Sequence, residues 1–127
     1  IDGSQDGIWD DDLLLGKTYA SSRWFEMYGE TAESGKDPLT LFNERMHPDD
    51  FPAYLRAYRA HVQNDSPIYS AEFRIRHTDG SYRWIMARGK ATRDSTGRAV
   101  RMVGTHTDIT DPKRIQRLLG ATANANR

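Results

Sequence analysis

The chain has 127 residues, of which 18 are basic and 18 acidic, so its formal net charge is zero. A balanced charge excludes the basic surface that binding to nucleic acid or to anionic lipid requires. The absence of cysteine excludes disulfides, thiolate metal sites and cysteine-based covalent chemistry. The length predicts one domain, and no apolar run reaches the ~20 residues of a membrane-spanning helix.

The first third of the chain predicts two short strands followed by helices. Residues 8–20 hold two apolar patches separated by Gly16 and Lys17, which is typical of two antiparallel strands joined by a tight turn. Ser21 and Ser22 are both candidate caps for a short helix over RWFEMY, which Gly29 ends. A second brief helix is predicted over LTLFNERM, after Pro38.

A longer helix is predicted between residues 49 and 64. Asp49 or Asp50 can cap it, and Pro52 stands in the first turn, where its missing N–H does no harm. Apolar residues then recur at spacings of three and four, namely Phe51, Leu55, Tyr58 and Val62.

The second half changes to the period of a strand. YSAEFRIRH alternates between apolar and polar residues, and two further strands, SYRWIMARGKATR and AVRMVGTHTDI, follow turns at TDG and DSTGR. The fold class is therefore α+β. We expect a five-stranded antiparallel sheet with helices on one face and the two N-terminal strands beside the C-terminal three.

Six separated motifs make the sequence resemble the PAS domain, particularly a bacterial subgroup in which they occur in this order. They are GIW at 7–9, RW at 23–24, HPDD at 47–50, EFRIRHTDGSYRWI at 72–85, DSTGR at 94–98 and VGTHTDIT at 103–110. The resemblance covers about residues 7–115. It implies the PAS fold and a cytoplasmic sensory and dimerisation module, upstream of an output domain such as a histidine kinase or a diguanylate cyclase.

This resemblance divides the chain into four segments. Residues 7–110 are expected to form the PAS domain and residues 111–120 the start of a C-terminal signalling helix. Residues 1–6 are expected to end an N-terminal leader of a longer protein. Residues 121–127 are expected to be a disordered tail, because Gly120 breaks the helix and Asn-rich sequence does not prolong it.

In this family the DIT tripeptide closes the last strand and begins the helix that carries the signal onward. Here it is Asp108, Ile109 and Thr110, and Thr110 is a good N-cap residue. We expect Asp108 to accept a hydrogen bond or an ion pair from Arg83 or Lys90, which would hold the strand end from which the helix leaves.

The inner face of the sheet is expected to bound a ligand pocket. On the second long strand the period alone leaves two registers open, and the small residues at 87 and 89 favour the one with Ile85 inward. The ligand-facing positions of related PAS domains fall on the same register. The predicted pocket residues are Tyr54, Leu55, Tyr58, Phe73, Ile75, Ile85, Ala87, Met102 and His106.

His106 has two interpretations. In flavin-binding light sensors of this superfamily a glutamine that touches the flavin stands at this position. His106 could make a hydrogen-bonding or pH-sensitive contact to a ligand. It could instead be a partly buried histidine that is satisfied by a backbone carbonyl or a water.

The identity of any cofactor stays open. Covalent flavin and dye sensors of this superfamily need a cysteine, which the chain lacks. Haem is not expected. His61 stands on the long helix, where haem-binding relatives carry their axial ligand, but it lies between polar neighbours near the helix end and should be exposed. Noncovalent FAD stays open, although the sequence has no Gly-rich loop of the kind that binds its phosphates. No metal site is expected, since His47 and the aspartates beside it stand where helix caps occur.

An aromatic patch is predicted on the outer face of the sheet. Tyr82, Trp84 and Met86 would face outward together with Trp9, and such a patch favours a dimer or interdomain interface. Long Arg and Lys side chains could instead cover the rings. On the outgoing helix Ile115 and Leu118 share one side and could pair with a second copy.

The preferred function is a non-catalytic sensory and dimerisation module. Its partners would be a second copy, an output domain on the same chain and a small-molecule ligand, with no nucleic acid and no membrane contact by this segment. One alternative is a pure interaction scaffold that binds no ligand. Another is a small cone-shaped α+β enzyme, against which the predicted cavity offers His106 but no carboxylate beside it.

Overall fold

The computed structural model describes the backbone of residues 5–125 and the side chains of residues 5–120. Its strands are β1 (Gly7–Asp12), β2 (Lys17–Ala20), β3 (Tyr69–Arg76), β4 (Tyr82–Arg93) and β5 (Ala99–Asp108). Its α-helices are α1 (Ser22–Met27), α2 (Pro38–Arg45), α3 (Phe51–Val62) and α4 (Thr110–Ala125). None of these described helices is both long enough and apolar enough to cross a membrane.

The described strands form one antiparallel sheet in the order β2-β1-β5-β4-β3. This confirms the predicted α+β class, in which the N-terminal hairpin extends the sheet beside the three C-terminal strands. Strand β5 is therefore central, and it separates the hairpin β1–β2 from the hairpin β3–β4. The last strand before the outgoing helix is therefore the middle strand of the sheet, between β1 and β4.

Both long hairpins are closed by an aspartate and a glycine. Between β3 and β4 the Oδ1 of Asp79 accepts the N–H of Ser81 at 2.8 Å, and Gly80 has a φ of 91°. Between β4 and β5 the Oδ1 of Asp94 accepts the N–H of Thr96 at 2.9 Å. These local bonds determine the strand register, so the predicted turns are confirmed.

The helices begin at polar caps. The hydroxyl of Ser21 accepts the N–H of Trp24 at 3.4 Å at the start of α1, as predicted. Before α3 the chain makes one helical turn, where the Nδ1 of His47 accepts the N–H of Asp49 at 3.1 Å. Asp50 makes no capping bond and instead binds Arg74 of β3 through both carboxylate oxygens, at 2.7 and 2.9 Å.

Helix α4 does not end where the sequence predicted. It continues through Gly120 to Ala125, whereas a break had been expected at Gly120 and a disordered tail from residue 121. A glycine costs only about 1 kcal/mol in a helix interior, and the alanines that follow favour the helix. Residues 1–4, within the expected leader, and the last two residues of the expected tail lie outside the described residues.

Candidate functional site

A cavity of about 40 Å³ lies between the inner face of the sheet and the helices. We call it the aromatic cavity, and it is lined by Trp9, Asp11, Thr18, Trp24, Leu39, Phe42, Tyr54, Tyr58, Tyr69 and His106. Since a water needs roughly 10–15 Å³ in this measure, the space suits on the order of three waters or one very small molecule.

The nine predicted pocket residues lie in three places. Tyr54, Tyr58 and His106 line the aromatic cavity. Five more fill the adjoining core rather than the cavity wall, and they are Phe73, Ile75, Ile85, Ala87 and Met102, all fully buried. Leu55 is half-buried on α3 and is not among the residues that line the cavity. The inward register predicted for β4 is confirmed.

Trp9 was predicted on the outer face and lies on the inner one, with 5% of its surface exposed. Its ring occupies space that Gly89 and Gly104 leave open, and a Cβ added to Gly89 would come within 2.5 Å of the ring. Trp9 lies directly opposite Gly104 in the pairing of β1 with β5. The small residues of β4 and β5 thus make room for this indole rather than for a close helix.

His106 lies in a box of aromatic rings. The ring centroids of Trp9, Trp24, Phe42 and Phe73 are 5.5 to 6.1 Å from its own. Burial lowers the pKa of His106 to about 3, so the imidazole is neutral at physiological pH. Its Nδ1 has no hydrogen-bond partner among the described residues, so no backbone carbonyl of this part of the chain satisfies it.

Other buried polar atoms near the aromatic cavity also lack a hydrogen-bond partner among the described residues. The indole Nε1 atoms of Trp9 and Trp24 and the hydroxyl of Tyr28 also lack a partner among the described residues. Tyr28 stacks on Trp24 with a centroid distance of 4.2 Å. Leaving such groups unpaired is costly, so waters or a polar ligand at this place would lower the energy.

Asp11 brings a carboxylate to the cavity wall. Its Oδ2 accepts the hydroxyl of Tyr58 and its Oδ1 the hydroxyl of Thr18, each at 2.8 Å. Burial raises the pKa of Asp11 above its usual value. Asp11 was not predicted in the cavity wall. It lies on the same face of β1 as Trp9, and Trp9 had been predicted on the outer face.

His61 was expected to be exposed, but it is buried, with only 3% of its surface accessible. Its Nδ1 lies 2.8 Å from the carbonyl oxygen of Ser66, to which it can only donate, and its Nε2 accepts the N–H of Ala91 at 2.9 Å. The imidazole thus fastens the end of α3 to β4. With both ring nitrogens engaged, neither is free to bind a haem iron in this arrangement.

Three hydrogen bonds hold the start of α4, two of them to β4 and one to the end of β5. The N–H of Trp84 donates to the Oγ1 of Thr110 at 3.0 Å, and this hydroxyl donates to the Oδ1 of Asp108 at 2.5 Å. The N–H of Ile109 donates to the carbonyl of Trp84 at 2.9 Å. Every residue of the DIT tripeptide therefore takes part in the junction, which we call the helix latch.

The partner expected for Asp108 is wrong. Its carboxylate accepts the N–H and the hydroxyl of Thr110, while Arg83 forms an ion pair with Asp79 at 3.1 Å. Register explains the difference, because Asp108 lies opposite Ile85 in the sheet, and Lys90 lies opposite Val103.

The outer face carries the other predicted residues. Tyr82 is 37% exposed, and Trp84 and Met86 are half-buried. The Arg74 guanidinium and the Lys113 ammonium lie 5.1 and 5.0 Å from the Trp84 ring centroid. Cationic side chains thus cover this ring in part, as the second interpretation of the patch held.

The apolar side of α4 is open to solvent in this chain. Ile115 and Leu118 are 58% and 68% exposed. Lys113, two residues before Ile115, forms an ion pair with Glu72 of β3 at 2.8 Å. The helix therefore contacts the outer face of the sheet near its start, while its apolar residues point elsewhere.

Comparison with known proteins agrees with this fold. The profile of the PAS fold family matches residues 17–106. The structure of a sensory box histidine kinase/response regulator from Burkholderia thailandensis is 34% identical and superposes with a TM-score of 0.86, over 98% of this chain and 92% of that one. The N-terminal domain of a diguanylate cyclase with PAS/PAC sensor from Marinobacter aquaeolei shares the fold, with 23% identity and a TM-score of 0.70 over 83% of this chain and 95% of that one.

A curated relative belongs to the same class. The peroxide stress-activated histidine kinase mak1 of Schizosaccharomyces pombe is 36% identical over 83 residues, which are 65% of this chain and 5% of the kinase. This chain belongs to the PAS fold family. It is a sensory module, homologous to PAS domains of sensor histidine kinases, and it spans about a twentieth of the length of the curated kinase.

Proposed function

We propose that this chain senses the state of the aromatic cavity and transmits it through α4 to an output domain. The observation that carries the proposal is that β5 holds both His106, in the cavity wall, and Asp108, in the helix latch. Two residues along a strand span about 7 Å, so a shift of His106 is passed directly to the start of the helix. Asp108, Ile109 and Thr110 are the residues to which we assign transmission.

A ligand can act in this way only if it binds two arrangements of the chain with different affinity. Movement of β5 relative to β4 is one such pair of arrangements, because the helix latch joins the ends of these strands. In one arrangement the Trp84 N–H reaches Thr110, and in the other this bond is broken. The ligand of the proposal is small, since the aromatic cavity measures about 40 Å³.

We propose no catalytic step. Asp11 supplies a carboxylate in the same cavity as His106, which the sequence had not foreseen. However, its hydrogen bonds run to Tyr58 and Thr18 rather than to the imidazole, and His106 is neutral at physiological pH. General acid–base catalysis calls for a proton donor or acceptor poised near the working pH, and neither group has an arrangement that supports such a role.

The partners that we propose are a second copy and an output domain, either a histidine kinase or a diguanylate cyclase, in the cytoplasm. Tyr82, Trp84 and Met86 on the sheet and Ile115 and Leu118 on α4 supply the apolar surface for the second copy. Trp9 is withdrawn from this interface because it is buried. A cytoplasmic location suits a chain without cysteine.

An interaction scaffold without a ligand is the second candidate, and the small volume of the aromatic cavity favours it. A flavin or a haem could enter only if the packed rings moved apart. The chain has no cysteine for a covalent flavin or dye, and the ring nitrogens of His61 are both engaged. We therefore propose neither a covalent chromophore nor haem.

The test is to purify the chain, denature it and examine the released fraction by mass spectrometry and ultraviolet–visible spectroscopy. A stoichiometric small molecule supports the sensor. A second measurement follows hydrogen exchange at the first turn of α4 with the molecule present and removed. Unchanged exchange there would contradict transmission through the helix latch, and an empty chain that still binds its partners would favour the scaffold.

The dimer has its own test. Light scattering after size-exclusion chromatography should give twice the mass of one chain, and Ile115→Glu should reduce it to the single-chain mass. Gln116→Glu, a neighbouring exposed position, is the matched control and should leave the dimer intact. A single-chain mass at high protein concentration would refute the interface.

A further inference from the structure

We propose that the aromatic cavity selects a small cationic amine, for which Asp11 is the counter-charge and the surrounding rings are the binding faces. This inference rests on the proposed function, because it names the class of ligand that the same cavity would take. It is carried by the charge, the hydrogen bonding and the ring geometry of the cavity wall.

The lining of the aromatic cavity has the electrostatic character of a cation site. Asp11 is the single formal charge among the described residues that line it, and no lysine or arginine is among them. His106 adds no positive charge, since burial keeps the imidazole neutral. A positively charged guest would therefore meet one negative group and no formal positive charge among the described lining residues.

The three consecutive aspartates of β1 differ in their partners. Asp10 forms an ion pair with Arg101 on the outer face, and Asp12 accepts backbone N–H groups of the β1–β2 turn. Asp11 alone of the three points to the cavity, and within the described part of the chain no ion pair neutralises it. Tyr58 donates a hydrogen bond to one carboxylate oxygen of Asp11, and Thr18 donates a hydrogen bond to the other.

Those two bonds hold the carboxylate in place without using all of its acceptor capacity. A carboxylate offers about four lone-pair sites, and the hydroxyls of Tyr58 and Thr18 occupy two of them. An ammonium group carries donors and no acceptor, so it matches the sites that remain. A carboxylate ligand would bring like charge to Asp11 and is disfavoured.

Aromatic rings surround the space on several sides. The centroids of Tyr58 and Tyr69 are 5.4 Å apart, those of Tyr54 and Tyr58 are 5.9 Å apart, and those of Trp9 and Tyr69 are 5.8 Å apart. A cation within about 6 Å of several ring centroids is attracted by their quadrupoles, and most strongly where water is excluded. Rings together with one carboxylate are the set of groups that recognises an amine.

The volume of about 40 Å³ restricts the amine to one of very few heavy atoms. Leu39 lines the cavity and is itself partly exposed, so the cavity approaches the protein surface beside α2. Methylammonium is the probe that fits, and methanol is its neutral counterpart of equal heavy-atom count. With two heavy atoms the expected Kd is on the order of 5–10 mM at best.

The experiment is a titration of the ¹⁵N-labelled chain followed by amide and indole N–H resonances. Methylammonium chloride is compared with methanol, sodium chloride and sodium acetate at matched ionic strength. We expect saturable shifts at Asp11, Thr18 and the indoles of Trp9 and Trp24 with methylammonium alone. Asp11→Asn keeps an acceptor for one of the two hydroxyls of Thr18 and Tyr58, and its NH2 can donate to the other. This variant should weaken binding at least tenfold, as expected for loss of a charged hydrogen bond. Asp10→Asn is the matched control and should change the Kd less than twofold.

The inference is overturned if methanol produces the same shifts, if Asp11→Asn binds methylammonium as well as the unsubstituted chain, or if no saturable shift occurs. Should Asp11→Asn fail to fold, the comparison of methylammonium with methanol on the unsubstituted chain decides alone. Amine binding without any change in α4 would refute transmission through the helix and would leave the proposed amine site standing. A neutral molecule that shifts both the cavity and α4 would refute the amine and keep the sensor.

Discussion

The backbone N–H of Trp84 donates a hydrogen bond to the hydroxyl of Thr110 at 3.0 Å. This bond joins β4 to the first residue of α4, and it continues through the Thr110 hydroxyl to Asp108 at the end of β5. On the inner face of the sheet, Ala87 of β4 is the register partner of His106 of β5. The cavity wall and the origin of the outgoing helix are therefore parts of the same pair of strands.

Removal of the Thr110 hydroxyl should loosen the start of α4. Thr110→Val keeps the shape of the side chain and leaves the Trp84 N–H and the Asp108 carboxylate without this partner. We expect a loss of about 1–3 kcal/mol in the free energy of unfolding and faster hydrogen exchange at the Trp84 amide and in the first turn of α4. Thr105→Val, on the outer face of β5, serves as the control. Equal exchange in both variants would contradict the latch.

Substitution of Gly104 should disturb the Trp9 ring. A Cβ at this position would clash with the carbonyl oxygen of Arg88 and with the indole of Trp9. Gly104→Ala should therefore cost about 1–3 kcal/mol or more and alter the tryptophan fluorescence. Gly120→Ala has open space around its Cβ and should stabilise α4 by up to about 1 kcal/mol. Denaturant unfolding of both variants checks this, and an unperturbed Gly104→Ala chain would show that Trp9 lies elsewhere.

Protonation of His106 should destabilise the fold in acid. Its folded-state pKa of about 3 lies below the ordinary value of 6.5, because burial disfavours the charged ring. The neutral ring thus contributes stability that is fully present above pH 6.5 and is lost as the pH falls towards 3. The expected slope is about 1.4 kcal/mol per pH unit in this range.

The measurement is the free energy of unfolding between pH 7 and pH 4.5, above the range in which most carboxylates titrate. His106→Phe keeps an aromatic ring in the box and should abolish most of the slope. His77→Gln, in the β3–β4 hairpin, should retain it. A His106→Phe chain with an unchanged slope would mean that another group causes the acid sensitivity.

Replacement of His61 should separate the end of α3 from β4. His61→Leu preserves bulk but leaves the Ala91 N–H and the Ser66 carbonyl without their partner. Each unsatisfied buried group costs about 1–3 kcal/mol, so a clear fall in the denaturant midpoint is expected. Gln63→Leu, at an exposed position just beyond the helix, should change stability by less than about 0.5 kcal/mol. Comparable midpoints would indicate that His61 is not a structural tie.

Local patterns accounted for most of the secondary structure. The three C-terminal strands and their turns follow from alternation and from Asp-Gly chemistry, which act over a few residues. The inward residues of β3, β4 and β5 follow from the same alternation once one register is chosen. Within the cavity wall, His106 was predicted from this alternation, and Tyr54 and Tyr58 were predicted on the helix that forms α3.

The remaining lining residues depend on distant parts of the chain. Trp9 and Asp11 enter the cavity because β1 pairs with β5 in one register, over a separation of about ninety residues along the chain. His61 is buried because Ser66 and Ala91 both reach its ring. Neither relationship leaves a sign in the residues adjacent to Trp9 or His61.

The α+β class, the antiparallel pairing of the C-terminal strands, the absence of cysteine chemistry and the PAS family all follow from the sequence, since each depends on composition or on short-range spacing. The face that Trp9 occupies, the place of Asp11 in the cavity lining and the bond of Asp108 with Thr110 rather than with a basic residue become known only from the packed structure. Side-chain burial in a sheet depends on the register between strands and on the volumes that neighbouring strands leave open. Those quantities arise only when distant segments pack together.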